Sequence, residues 1–213
     1  MNYYIADPHF GHKTALLAFD RPYADVKEMN EDIIRRWKEQ VRPEDTVYIL
    51  GDLMGYRRSP IPYLKRLPGR KVLILGGCDD RWIRHSGIVL EDWFEGVYEQ
   101  LDIEDEGITL RLCHDPCGIE IPEGGFLVYG CAHNNTKNPI WEDIWKEQRA
   151  FNATVDVALD VGGPFPATLW ELQVTNAQFR VFNPVCNGGE IWYDIPLDDE
   201  AVPEDDEQRC CFF

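Results

Sequence analysis

The chain has 213 residues, of which 44% are hydrophobic and 12% aromatic, enough for one domain with a substantial core and too apolar for a disordered chain. Its 38 acidic residues against 21 basic ones leave a formal net charge of -17, which argues against binding long nucleic acid or an anionic membrane, whereas a small anion needs only a metal to supply local positive charge. No stretch approaches the roughly 20 apolar residues of a membrane-spanning helix, and seven cysteines without a secretion signal predict reduced thiols in a cytoplasmic protein.

The first predicted strand runs from Asn2 to Ala6, with no basic or cleavable apolar segment ahead of it. A helix follows: Asp25 and Glu28 form an acidic capping pair, and Met29, Ile33, Trp37 and Val41 recur at helical spacing. Val47 to Leu50 forms the second strand, so the unit reads as a right-handed strand–helix–strand crossover. Ser59 to Leu67 reads as a short helix before a third strand at Val72 to Leu75, and His85 falls in a helix after it.

From Gly96 the runs shorten, at Val97 to Ile103, Ile108 to Cys113 and Phe126 to Tyr129, and this half reads as more antiparallel. Pro139 to Gln148 carries Ile140, Trp141, Ile144 and Trp145 as a helical stripe, more often core than a lid. Thr168 to Asn176 reads as a short helix. Gln178 to Val185 and Glu190 to Ile195 flank Asn187-Gly188-Gly189 as a hairpin. The expected organisation is one domain over 1–195, including a hairpin over 178–195, then an acidic, solvated tail over 196–213.

Five strand-like runs end within one or two residues of a group able to hold or flank a metal: Asp7 and His9, Asp52, Gly76-Gly77-Cys78-Asp79, His114, and Cys131 with His133. Ligands of open α/β sheets gather beyond the carboxyl ends of strands, so one shared metal site is expected. Two carboxylates and two imidazoles, from Asp7, His9, Asp52 and His133, suit Mn, Fe or Zn. Cys113 and Cys117 around His114 are a fragment of a possible zinc motif, with buried thiols as the plain alternative.

The ordered series Asp7-x-His9, Gly51-Asp52, Gly76-Gly77-Cys78-Asp79, His114 and Gly130-Cys131-Ala132-His133 resembles the calcineurin-like metallophosphoesterase family over roughly residues 1–175. The opening Asp7-Pro8-His9-Phe10-Gly11-His12 resembles its small bacterial and phage branch. The resemblance implies a four-layer αββα sandwich of two mixed sheets, with Asp7, His9, Asp52 and His133 at a first metal and Asp52 bridging to a second, which keeps His114. It also implies hydrolysis of a small phosphomonoester or phosphodiester by metal-activated water.

Three family positions differ: Gly77 stands for an asparagine ligand, Cys78 for the histidine that assists the leaving group, and Cys131 for a second-site histidine. Cys131 with Asp52 and His114 would make a three-ligand site. Cys78, Asp79 and His12 are the candidate catalytic residues, His12 as a substitute for the missing histidine. Arg21 and Asn134 are candidate phosphate-binding residues, Arg21 having a surface ion pair as its alternative. The competing functional reading is an impaired relative that binds metal or a phosphate-containing ligand without turnover.

Overall fold

The computed structural model describes residues 1–55 and 59–182. Side chains alternate between the faces of a strand, and the first three strands sort theirs into two cores. From β1 (Asn2–Ile5), β2 (Thr46–Leu50) and β3 (Arg70–Ile74), Tyr3, Ile5, Val47, Ile49 and Leu73 pack outwards. Their partners are Met29, Ile33, Ile34 and Trp37 of α2 (Val26–Gln40) and Trp82 of α4 (Asp79–Ser86). Leu16 of α1 (Lys13–Ala18) joins this core, and α2 starts as its sequence predicts, with the Asp25 carboxylate accepting from Glu28 N.

The opposite face carries Tyr4, Leu50, Val72 and Ile74, which meet Leu110, Leu112, Val128 and Phe151 of a second sheet. That sheet runs β5 (Gln100–Asp105), β6 (Ile108–Cys113), β7 (Phe126–Tyr129) and β8 (Ala150–Asn152). Its outer face buries Leu127, Tyr129 and Ala150 against Trp141, Trp145 of α5 (Glu142–Lys146), Val157 of α6 (Val155–Val161) and Phe179 of α7 (Leu169–Phe182). The fold is the expected four-layer αββα sandwich.

The first sheet, in the order β1-β2-β3-β4 with β4 at Gly96–Tyr98, is parallel throughout its named strands and becomes mixed only at its edge, where Tyr4 bridges antiparallel to Ala167. The second is mixed within itself: β5–β6 is antiparallel, and β6–β7 and β7–β8 are parallel. A parallel bridge from Ala6 to Thr154 stitches the two sheets together beside the carboxyl end of β1.

Three sequence expectations change. The run Val97 to Ile103 is two strands, β4 closing the first sheet and β5 opening the second. The chain passes between sheets at exposed Glu99 without a turn residue, so hydrophobic periodicity carries no mark of the change of partner. Gln178 to Phe182 is helix, not hairpin arm: Leu172, Thr175, Asn176 and Phe179 are buried at helical spacing, and Phe179 lies on Trp145 with ring centroids 5.1 Å apart. The rest of that hairpin and the acidic tail lie outside the described residues. The Ser59 to Leu67 helix is a single turn, α3 (Ile61–Leu64). Among the described residues, no helix is long and apolar enough to cross a membrane.

Candidate metal centre

The ligand candidates leave the strand ends on backbone that L-residues seldom adopt. Asp7 (φ 54°), His9 (49°), Asp52 (52°), Cys131 (64°) and His133 (44°) all lie in the left-handed region. Each such residue costs on the order of 1–3 kcal/mol and persists where its surroundings over-determine it, which happens most often at functional sites. Close backbone packing does so here. A Cβ on Gly76 would overlap Asp52 Oδ1, one on Gly51 would overlap the His114 ring, and one on Gly130 would lie 2.7 Å from Asp7 Oδ2.

The side chains converge. Asp7 Oδ1 is 3.4 Å from both His9 Nε2 and His133 Nε2. His9 Nε2 is 3.8 Å from Asp52 Oδ2, and His114 Nε2 is 3.8 Å from Asp52 Oδ1. Two ligand atoms at about 2.1 Å from a tetrahedral cation stand about 3.4 Å apart, so these spacings suit ligands around an ion. Ligand atoms of Asp7, His9 and His133, of Asp7, Asp52 and His114, and of His9, Asp52 and Cys78 each form a group within 4.8 Å.

Asp7 Oδ1 and His9 Nε2 are buried with no hydrogen-bond partner. Orphaned buried polar atoms are expensive, and Asp7 and Asp52 are carboxylates with no exposure. A divalent cation among them would meet both costs, and the oxygen and nitrogen donors suit Mn, Fe or Zn.

Outer partners fix the ring orientations. His133 Nδ1 donates to Asp156 Oδ2 at 2.7 Å, which turns the Nε2 lone pair towards Asp7. Arg21 donates to both Asp156 oxygens, at 2.7 and 3.0 Å, and to the carbonyls of Asp7 and Pro8 at 2.7 and 3.1 Å. Burial opposes charge on Asp156, yet Arg21 and His133 outweigh it and hold the carboxyl well below the usual range. His114 Nδ1 donates to Leu50 O at 2.9 Å. Burial also opposes charge on His114, but Asp52, Asp7 and the Cys131 thiol hold its pKa well above the ordinary value.

Asp79, without exposure at the start of α4, accepts from Asp52 N, Leu53 N, Gly76 N and Trp82 Nε1 at 2.7–3.0 Å. Burial and the Asp52 charge push it up to about 7 against those donors. Its contacts make it the clamp of the Asp52 loop. Arg21, expected to bind phosphate or to form a surface ion pair, is instead in a buried ion pair, its guanidinium taken up by Asp156 and the two carbonyls.

His12 is buried with its Nδ1 3.1 Å from His9 Nδ1, and burial with the neighbouring His9 lowers its pKa to about 3. Asn134 Nδ2 donates to Asp160 at 3.1 Å. Cys131 N donates to Asp7 Oδ2, while its thiol pairs with the His114 ring and joins none of the convergent groups among the described residues. Cys78 does join one. Cys113 is buried and Cys117 exposed, and neither enters such a group.

Two contributors escaped sequence reasoning. Nothing in the helical context of Asp156 signals a partner 23 residues away. Phe19 stacks on His133, with centroids 3.4 Å apart and planes at 13°, and no sequence signal marks it.

No family model matches the chain. It is 29% identical over 156 residues to an uncharacterised protein of Methanocaldococcus jannaschii, covering 73% of this chain and 81% of that one. A solved Aquifex aeolicus protein of unknown function shares 26% identity at a TM-score of 0.57, over 73% of this chain and 90% of its own. The phosphoesterase YfcE of E. coli shares 19% identity at a TM-score of 0.36, over 72% of this chain and 77% of its own. The chain is thus an αββα domain with residues positioned to bind metal and with relatives that carry no assigned activity among the more similar of these three.

Proposed function

We propose that the domain is a metal-dependent phosphoesterase acting on a small phosphomonoester or phosphodiester, with Asp7, His9, Asp52 and His133 as the principal ligands of a divalent ion. The observation that carries this reading is the pair of orphaned buried atoms, Asp7 Oδ1 and His9 Nε2, which stand 3.4 Å apart, the spacing of two ligands of one ion. Bound divalent ions supply Lewis acidity towards a phosphate oxygen and draw the pKa of a ligated water towards about 7.

The chain's own residues do the positioning. Asp156 and Arg21 fix His133, Asp79 holds the Asp52 loop, and the Leu50 carbonyl orients His114 for a second ion. Exposure rises at Gly77 and Cys131, the side from which a small phosphate-containing substrate would approach. Cys78 occupies the place of the family's leaving-group histidine, so the missing acid help, worth about 100- to 10,000-fold, matters least for esters whose leaving group is already a weak base.

Hydrolysis of aryl phosphomonoesters and phosphodiesters by the full chain loaded with Mn, Fe or Zn tests this. Chelator-sensitive turnover that Asp52→Asn abolishes is the expected result. Metal bound at the centre with no turnover of any aryl ester would overturn it and favour the second reading, a module that binds metal or phosphate without hydrolysis, which the substitutions at Gly77, Cys78 and Cys131 motivate.

A further inference from the structure

We infer that Cys78 is a metal ligand: its thiolate joins His9 and Asp52 around one cation and makes the centre selective for thiophilic ions. This rests on the metal-centre reading above and gives it a ligand that the family pattern does not assign.

The geometry is specific to this residue. Cys78 Sγ, a His9 ring nitrogen and an Asp52 carboxylate oxygen lie within 4.8 Å of one another, and all three residues are buried. Ligand atoms around a tetrahedral zinc ion, at about 2.1 Å for nitrogen or oxygen and 2.3 Å for sulfur, stand about 3.4–3.6 Å apart, so a side-chain adjustment of about 1 Å lets one ion touch all three. An independent observation points to the same ion: His9 is 1% exposed, and its Nε2 has no hydrogen-bond partner.

Backbone contacts hold the thiol in place. Cys78 N donates to Asp52 Oδ1 at 2.8 Å, tying residue 78 to the carboxylate it would share an ion with. Asp79 accepts from Gly76 N and Asp52 N and so fixes the strand ends on both sides of Cys78. Gly76 can take no side chain, since a Cβ would overlap Asp52 Oδ1. The other thiol beside the centre is placed differently: Cys131 pairs with His114 and lies outside every convergent group among the described residues.

On binding, the Cys78 S–H bond breaks, its proton passes to solvent, and the sulfur–metal bond forms in place of a metal-bound water. Because thiolate is a soft donor, zinc, cobalt and cadmium should displace manganese and magnesium from the site. A thiolate ligand also separates this centre from an all oxygen-and-nitrogen one in its spectrum.

The test is cobalt(II) titration of the metal-stripped full chain, read by absorption. The wild type should show ligand-field bands together with an intense near-ultraviolet sulfur-to-cobalt charge-transfer band. Cys78→Ser should keep the ligand-field bands and lose the charge-transfer band, while Cys131→Ser keeps both. Ligand-field bands without charge transfer in the wild type, or charge transfer that survives Cys78→Ser, would overturn the inference and leave the metal centre standing. No cobalt binding at all would overturn both. Should Cys78→Ser fail to fold, X-ray absorption of the zinc-loaded wild type decides: a sulfur shell at about 2.3 Å supports the assignment, and its absence refutes it.

Discussion

The two histidines that follow the second sheet's strands are held in contrasting ways. His133 is backed by a charged network, Asp156 and then Arg21, that returns to the Asp7 and Pro8 carbonyls, with Phe19 stacked on its face. His114 leans on a single backbone carbonyl, that of Leu50, and on the Cys131 thiol. The His133 side is therefore built as part of the domain's core, and the His114 side can vary its ligands at small cost to the fold.

The largest expected effect strikes that network. Asp156→Ala leaves the Arg21 guanidinium buried without its partner and should destabilise the chain by about 3–5 kcal/mol, read by chemical denaturation. The pH dependence sharpens this. Because the Asp156 pKa is depressed, the stability it contributes is fully present above the unfolded carboxylate value of about 3.9 and is lost only as pH falls through the lower folded value. Denaturation midpoints of wild type and Asp156→Ala should differ undiminished from pH 7 to pH 5 and draw together only in stronger acid. An equal difference at all acidic values would break the assignment.

On the other side, Gly51→Ala puts a Cβ into the His114 ring at a φ of 80°. It should cost more than about 1 kcal/mol of stability and, by shifting His114, weaken metal binding by about 10- to 100-fold, measured by calorimetric titration. A stable variant with unchanged affinity would mean that His114 lies outside the metal's reach. The smallest effect belongs to Phe19→Leu, which removes the stack on His133 while keeping an apolar side chain. A loss of about 0.5–1.5 kcal/mol in thermal unfolding is expected.

The same contrast shows what the sequence could reveal. Asp7, Asp52 and His114 were legible because each follows an apolar run by one or two residues, with His9 and His133 two positions beyond Asp7 and Cys131, and strand ends gather at one edge of such a sheet. The α2 helix was legible because Asp25 and Glu28 mark its start and Met29, Ile33 and Trp37 share a face. Pairings across long chain separations left no such trace. Asp156 meets Arg21 across 135 positions, and only the crossover between sheets brings them together. The change of sheet at Glu99 and the helical fate of Gln178 to Phe182 depend equally on tertiary partners, here Val72–Ile74 and Trp145.

The central claim is that Asp7, His9, Asp52 and His133 grip one cation between them. Equilibrium dialysis of the metal-stripped chain against zinc and manganese, beside a folded Asp7→Ala/His133→Ala variant, tests it most directly. The account predicts stoichiometric uptake by the wild type and loss of that ion in the variant. Equal uptake by both proteins, or none by the wild type, would contradict it.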